Sequence, residues 1–147
     1  MSAAADLIAA LGLQPHPEGG WYRELWRGEA GPSGRAVATS IHFLLQAGER
    51  SHWHRVDAAE VWLWHGGDPL VLREASSDSS PVNAITLGPD RAAGHLLQHT
   101  IEPHYWQAAE PLAGGSSGYA LVSCVVAPGF DFAGFTLAPP AWQPGIR

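Results

Sequence analysis

The chain has no lysine; all eight of its basic residues are arginine. That excludes every mechanism built on a Schiff-base lysine, pyridoxal phosphate chemistry included. There is one cysteine, Cys124, so no internal disulfide can form, which suits a reducing compartment. No run of basic residues exists and the formal charge is −6, which argues against nucleic acid and anionic membrane as partners. No apolar run approaches the ~20 residues of a membrane-spanning helix. The opening "MSAAADLIAALGLQPHPEGG" has neither a positive n-region nor a long apolar core, so it does not read as a signal peptide. The expectation is a cytoplasmic protein.

What is present is a chain of 147 residues, 46% hydrophobic, about one domain's worth. Residues 1–13 read as a short helix: Ser2 can cap it, Leu7, Ile8 and Leu11 share a face, and Gly12 can end it. After Pro15 the helical period gives way to strands. "WYRELWR" (21–27) alternates, with Tyr22, Glu24 and Trp26 on one face. "AVATSIHFLL" (36–45) is β-rich, and further strands are expected at 51–55, 60–65, 69–74, 83–87, 95–101, 105–109, 119–127 and 131–138. The breakers "GGDP", "ASSDSSP", "LGPD", "AGGSSG" and "APGF" separate them. Short strands at this spacing indicate an all-β sandwich or barrel. The organisation expected is a single domain over 1–147: helix 1–13, barrel 14–140, tail 141–147.

The stretch "SHWHRVDAAEVWLWHGG" (51–67) carries the chemistry. Alternate side chains of a strand share a face, so His52 and His54 are expected to point the same way. "RVDAA" supplies a turn, and Glu60, Trp62 and Trp64 form one face of the next strand. If both polar faces turn inward, two imidazoles and a carboxylate converge. Such a set suits a divalent cation with open coordination positions. It equally suits an acid–base cluster in which a carboxylate orients a histidine.

Gly48, His52, His54, Glu60 and Gly67, in the pattern G-x3-H-x-H-x5-E-x6-G, resemble the first signature of the cupin superfamily, whose members are double-stranded β-helix (jelly-roll) barrels. That signature usually has five residues before the first histidine and three or four before the glutamate. "HPEGGWYRELWR" (16–27), "ATSIHFLL" (38–45), "HRVDAAEVW" (54–62), "GDPLVL" (67–72), "WQAAEP" (106–111) and "LVSCVVAPGFDF" (121–132) together resemble a small, mostly bacterial cupin branch classed as a domain of unknown function. The resemblance implies a jelly roll and, commonly, a homodimer. It does not imply an activity. At the second cupin signature, P-x-G-x-x-H, this chain has "EPHYWQAAEP" (102–111): Gln107 stands in the histidine place and His104 in the glycine place. The implied metal set shrinks to His52, His54, Glu60 and the weakly ligating amide of Gln107.

The expected pocket holds His54 and Glu60 with Glu18 and Tyr105 as further acid–base groups. His52, Trp62, Gln107, Trp106 and His42 stand beside them as ligand contacts. Glu18 earns its place from the two glycines after it, which let the chain cross a barrel mouth. His42 is equally readable as a sheet histidine satisfied by hydrogen bonds. His65, His95 and His99 read as surface or dimer-edge residues, and Cys124 as a packed thiol. Three functions fit: a metal-independent acid–base enzyme on a small polar molecule such as a sugar, a cup that binds a small molecule without turnover, and a divalent-metal cupin.

Overall fold

A computed structural model describes residues 2–145. Helix α1 (Ala3–Leu11) is capped by the Ser2 side chain and closed by Gly12 at φ 66°, as the sequence leads one to expect. Eleven strands follow. They are β1 (Gln14–Pro15), β2 (Trp21–Arg27), β3 (Thr39–Gln46), β4 (Ser51–Val56), β5 (Ala59–Gly67), β6 (Leu70–Ala75), β7 (Asn83–Leu87), β8 (Gln98–Ile101), β9 (Trp106–Pro111), β10 (Tyr119–Ala127) and β11 (Phe135–Leu137). They form two antiparallel sheets, ordered β1-β2-β3-β10-β5-β8 and β11-β4-β9-β6-β7. Sequence neighbours repeatedly lie in opposite sheets, which is the jelly-roll arrangement.

The strands fall within a few residues of expectation, with two exceptions. Residues 91–93 make a single 3-10 turn capped by Asp90, so β8 starts only at Gln98. Residues 132–134 make another, capped by Asp131, so β11 is only three residues long. In both, an aspartate carboxylate takes a backbone N–H that a strand ladder would have used.

The core fills one end of the barrel. Phe43, Leu45, Trp62, Ile101, Ala120, Val122 and Cys124 from one sheet meet Leu70, Leu72, Leu87 and Ala109 from the other. A second apolar layer lies on the outside of the smaller sheet. Trp53 and Trp106 are covered there by a strap after β11 that carries Ala138 and Trp142. The Trp106 and Trp142 rings are 4.4 Å apart, and Arg55 stacks on Trp106 at 4.7 Å. The Trp53 carbonyl holds the strap too, accepting the Ala138 N–H at 2.9 Å.

Two bulges re-aim side chains. In the β2–β3 ladder Glu24 opposes Ile41 while Trp26 opposes Ser40, so one extra residue sits on β2. Tyr22 and Glu24 keep the inner face, Trp26 is turned outward to 53% exposure, and Arg27 is brought inward. The expectation that Trp26 shares a face with Tyr22 and Glu24 is therefore corrected. In the β4–β9 ladder Ser51 opposes Ala109 and His54 opposes Gln107, three residues against two.

Candidate functional site

The other end of the barrel opens into a cavity of about 380 Å³, within the size range of small-molecule sites. At its floor lie His54, Glu18, Glu60 and Cys124. His16, Thr39, Ile41 and Val126 line the walls, and Tyr22, Glu24, Arg27, Phe130, Asp131 and Phe132 rise toward the mouth.

Glu18 reaches the floor because "HPEGG" folds into a tight turn. His16 N–H donates to the Gly20 carbonyl and Gly19 N–H to the His16 carbonyl, at 2.9 and 3.0 Å. The Glu18 carbonyl accepts the N–H of His52, which lays the turn along the start of β4. Gly19 is at φ 107°, and a Cβ there would sit 2.1 Å from the Arg50 carbonyl oxygen. Only glycine allows that approach.

His54 sits between two acceptors. Its Nδ1–H donates to the His52 carbonyl at 2.7 Å, and its Nε2 lies 2.9 Å from Oε2 of Glu18. Burial works against charge on the imidazole. The Glu18 carboxylate, its hydrogen bond and the charge of Glu60 outweigh that and hold the His54 pKa up at about 9. Burial pushes Glu18 up, but the His54 imidazolium more than offsets it, and Glu18 lies below its usual range. His16 accepts the Glu18 backbone N–H on Nδ1, and its pKa is lowered, chiefly by burial. It stands as a neutral imidazole.

Glu60 is the contrast. Burial dominates, the nearby Glu18 charge adds to it, and together they exceed the pull of His54; Glu60 is pushed up to about 7. Its Oε1 accepts from Nε2 of Gln107 at 2.9 Å, while Oε1 of Gln107 accepts from Nε1 of Trp62 at 2.8 Å. The Cys124 thiol beside Glu60 is pushed well above its ordinary value by burial and the two glutamates, so it is a protonated thiol and no nucleophile.

The structure thus brings together His54, Glu18 and Glu60 from the expected set. The others need correction. His52 does not share the cavity with His54, because the β4 bulge turns it out; its Nε2–H donates to the Pro139 carbonyl of the strap at 2.9 Å. Gln107 and Trp62 stand behind Glu60 in the core and do not line the cavity. Tyr105 packs against the core, away from the cavity lining. Trp106 belongs to the outer layer, its Nε1–H donating to Asp78. His42 faces outward beside Ser123 and His65. His104 is in the left-handed region at φ 68°, a conformation that favours glycine.

The expected metal set of His52, His54, Glu60 and Gln107 does not fit. His52 points to the other face, the Gln107 oxygen is taken by Trp62, and His54 Nε2 faces Glu18. Among the described residues no three or more His, Cys, Asp or Glu side chains are disposed to hold a metal ion. Residues that sequence reasoning missed are Arg27, Phe130, Asp131 and Phe132. The bulge that admits Arg27 has no signature in "WYRELWR", and the 3-10 turn at the mouth was readable only as an Asp-x-x-Gly pattern within an expected strand.

The two packed sheets make a jelly roll, the architecture of cupins among other double-sheet proteins. The chain belongs to the cupin superfamily branch described as Cupin superfamily (DUF985), whose family model matches residues 5–138. It is similar in structure to a protein of Shewanella oneidensis, with 38% identity and a TM-score of 0.84 over 94% of this chain and 85% of that one. A hypothetical protein of Leishmania major shares 33% identity at a TM-score of 0.85, over 97% of this chain and 90% of that one. Bacillus subtilis oxalate decarboxylase shares the fold alone, at 14% identity and a TM-score of 0.61 over 84% of this chain and 29% of that one. No curated protein matches the chain.

Proposed function

We propose that this cupin is a metal-independent acid–base enzyme that moves a proton next to a carbonyl group in a small polar molecule, in the manner of a sugar isomerase or epimerase. One observation carries the reading. Two carboxylates share one buried floor, yet Glu18 is held ionised by His54 while Glu60 is poised at about 7. Groups pushed apart in this way are what general acid–base chemistry near neutral pH requires.

In that mechanism Glu60, as carboxylate, takes the proton from the carbon beside the carbonyl. The C–H electron pair moves into a C=C bond and the carbonyl π pair onto oxygen. The His54 imidazolium, its two N–H groups held by the His52 carbonyl and Glu18, stabilises that oxygen's charge through the field of its positive ring and not by a hydrogen bond. Glu60 then delivers the proton to the neighbouring carbon of the enediolate: the hydroxyl proton passes from the second oxygen to the first, the second oxygen's pair closes a new C=O, and the C=C pair takes the proton, so the carbonyl moves by one carbon. His54 is oriented from both sides, which limits the reorganisation its role costs. The partner of His54 is Glu18, not Glu60 as strand parity suggests.

The test is incubation with keto-sugars and aldoses in heavy water, with and without chelator. Chelator-resistant deuterium uptake that falls by roughly 10²–10⁴-fold in Glu60→Gln supports the reading. Arg91→Ala, on the exposed 91–93 turn away from the cavity, serves as a control that leaves uptake unchanged. A specific observation favours a second reading, the binding cup without turnover: His54 Nε2, the nitrogen nearest the cavity chemistry, is already committed to Glu18. Saturable binding without exchange would make that reading the correct one.

A further inference from the structure

The charges around the cavity do not cancel. Four carboxylates line it: Glu18, Glu24, Glu60 and Asp131. The cations are His54 and Arg27. His54 is spent on Glu18. Arg27 is spent twice: its guanidinium donates to Glu24 at 2.7 and 3.4 Å, and Nη2 also donates to the Phe130 carbonyl at 3.2 Å. Nearby Arg35 is locked on Asp57 by two bonds of 2.8 and 3.0 Å and on the Gly129 carbonyl. Among the described residues, neither Glu60 nor Asp131 has an ion-pair partner.

The two carboxylates without a direct ion pair differ in position, and each feels one cation at longer range, Asp131 that of Arg35 and Glu60 that of His54. Glu60 is on the floor, whereas Asp131 is exposed at the mouth. One oxygen of Asp131 caps the 3-10 turn by accepting the Ala133 N–H at 3.0 Å. The other is free for a ligand. Flanking it are Phe130 and Phe132, whose rings meet edge to face at 4.9 Å. Phe132 is 54% exposed although it lines the cavity. An exposed aromatic face beside a carboxylate attracts an organic cation through ring quadrupole and charge together. A phosphate or carboxylate ligand would meet a net negative lining and no uncommitted arginine.

We propose that the molecule this cavity takes carries an ammonium group, bound at the mouth by Asp131 and the rings of Phe130 and Phe132, with its polar remainder directed to His54 and Glu60. The inference rests on the reading that the cavity takes a small polar molecule and adds its charge class: amino-substituted, not phosphorylated or nucleotide-linked.

The experiment compares glucosamine, glucose and glucose 6-phosphate as probes of one shape and three charges. Binding is followed by amide shifts of residues 24–27 and 130–134. Glucosamine is expected to saturate these shifts at a Kd about tenfold below that of glucose at low ionic strength, with the gap narrowing in salt. Glucose 6-phosphate should bind more weakly than glucose. Asp131→Asn, which keeps the cap, should erase the preference for glucosamine over glucose. Equal or tighter binding of the phosphate, no saturation by glucosamine, or an undiminished preference in Asp131→Asn would overturn the proposal. Faster proton exchange on glucose or glucose 6-phosphate than on glucosamine would overturn it too while sparing the acid–base reading. Selective amine binding without any exchange would do the reverse.

Discussion

Nε2 of His54 lies 2.9 Å from Oε2 of Glu18, and the two side chains are only 2% and 7% exposed. Each makes the other's charge tolerable in a place where neither could stay ionised alone. Glu18→Gln keeps the shape and removes the anion. It is expected to destabilise the fold by about 3 kcal/mol at pH 6, the low end for a broken buried pair, because the imidazole can respond by releasing its proton. Urea unfolding measures the loss, and NMR titration should show the His54 pKa falling from about 9 to below its ordinary 6.5.

The pH dependence follows from the direction of each shift. The folded pKa of His54 lies above its unfolded value, so its contribution is fully present below 6.5 and is lost as pH rises through about 9. The stability advantage of the wild type over His54→Gln should shrink across that window. Glu60 is also raised, from 4.5 to about 7, so the native state pays increasingly for its ionisation as pH rises between those values. Glu60→Gln should therefore gain on the wild type from pH 5 to pH 8. A gap between them that stays flat with pH would contradict the assignment.

Gln107 joins the floor of the cavity to the core by donating to Glu60 and accepting from Trp62. Gln107→Leu leaves both buried partners unmet, at roughly 1–3 kcal/mol each. It should also raise the Glu60 pKa further, since the amide hydrogen bond is one of the forces that lowers it. Gln107→Glu, by contrast, should fold only when one of the two carboxyls is protonated, which a steep loss of stability above neutral pH would show.

The edge of the larger sheet is open. β1 covers only Trp21 and Tyr22 of β2, so residues 23–27 present an unpaired strand edge, with Leu25 and Trp26 exposed at 48% and 53% and Val37 beside them at 52%. We propose that a second copy of the chain covers it. Light scattering is expected to give a dimer mass at micromolar concentration, and Trp26→Lys a monomer; a monomeric wild type would refute the pairing.

The barrel was legible because its strands alternate and its turns are marked by Gly, Pro, Asn and Asp, and because Glu60, Trp62 and Trp64 obey strand parity. The floor of the site was half legible. Glu18 could be found from the two glycines behind it, and His54 from its place before "RVDAAE". His52 could not be separated from His54, because a bulge is decided by the register of a strand fifty residues away, and "SHWH" carries no glycine to announce it. Arg27 was hidden by the same cause on β2. Tyr105 and Trp106 were misplaced for another reason. Tyr105 and Gln107 both turn inward but reach the core and not the cavity, and strand alternation puts Trp106 between them on the outer face.

The β4 bulge has a mechanical side. His52 and His54 look to opposite faces, but they are tied: the His54 ring holds the His52 carbonyl, the His52 N–H holds the Glu18 carbonyl, and the His52 ring holds Pro139. A tug on the outer strap at Pro139 therefore reaches the ionised pair through two side chains and one peptide unit. Anything that grips or peels residues 138–145, such as an antibody fragment, would be felt as a change in the proton affinity of His54 on the far side of the sheet.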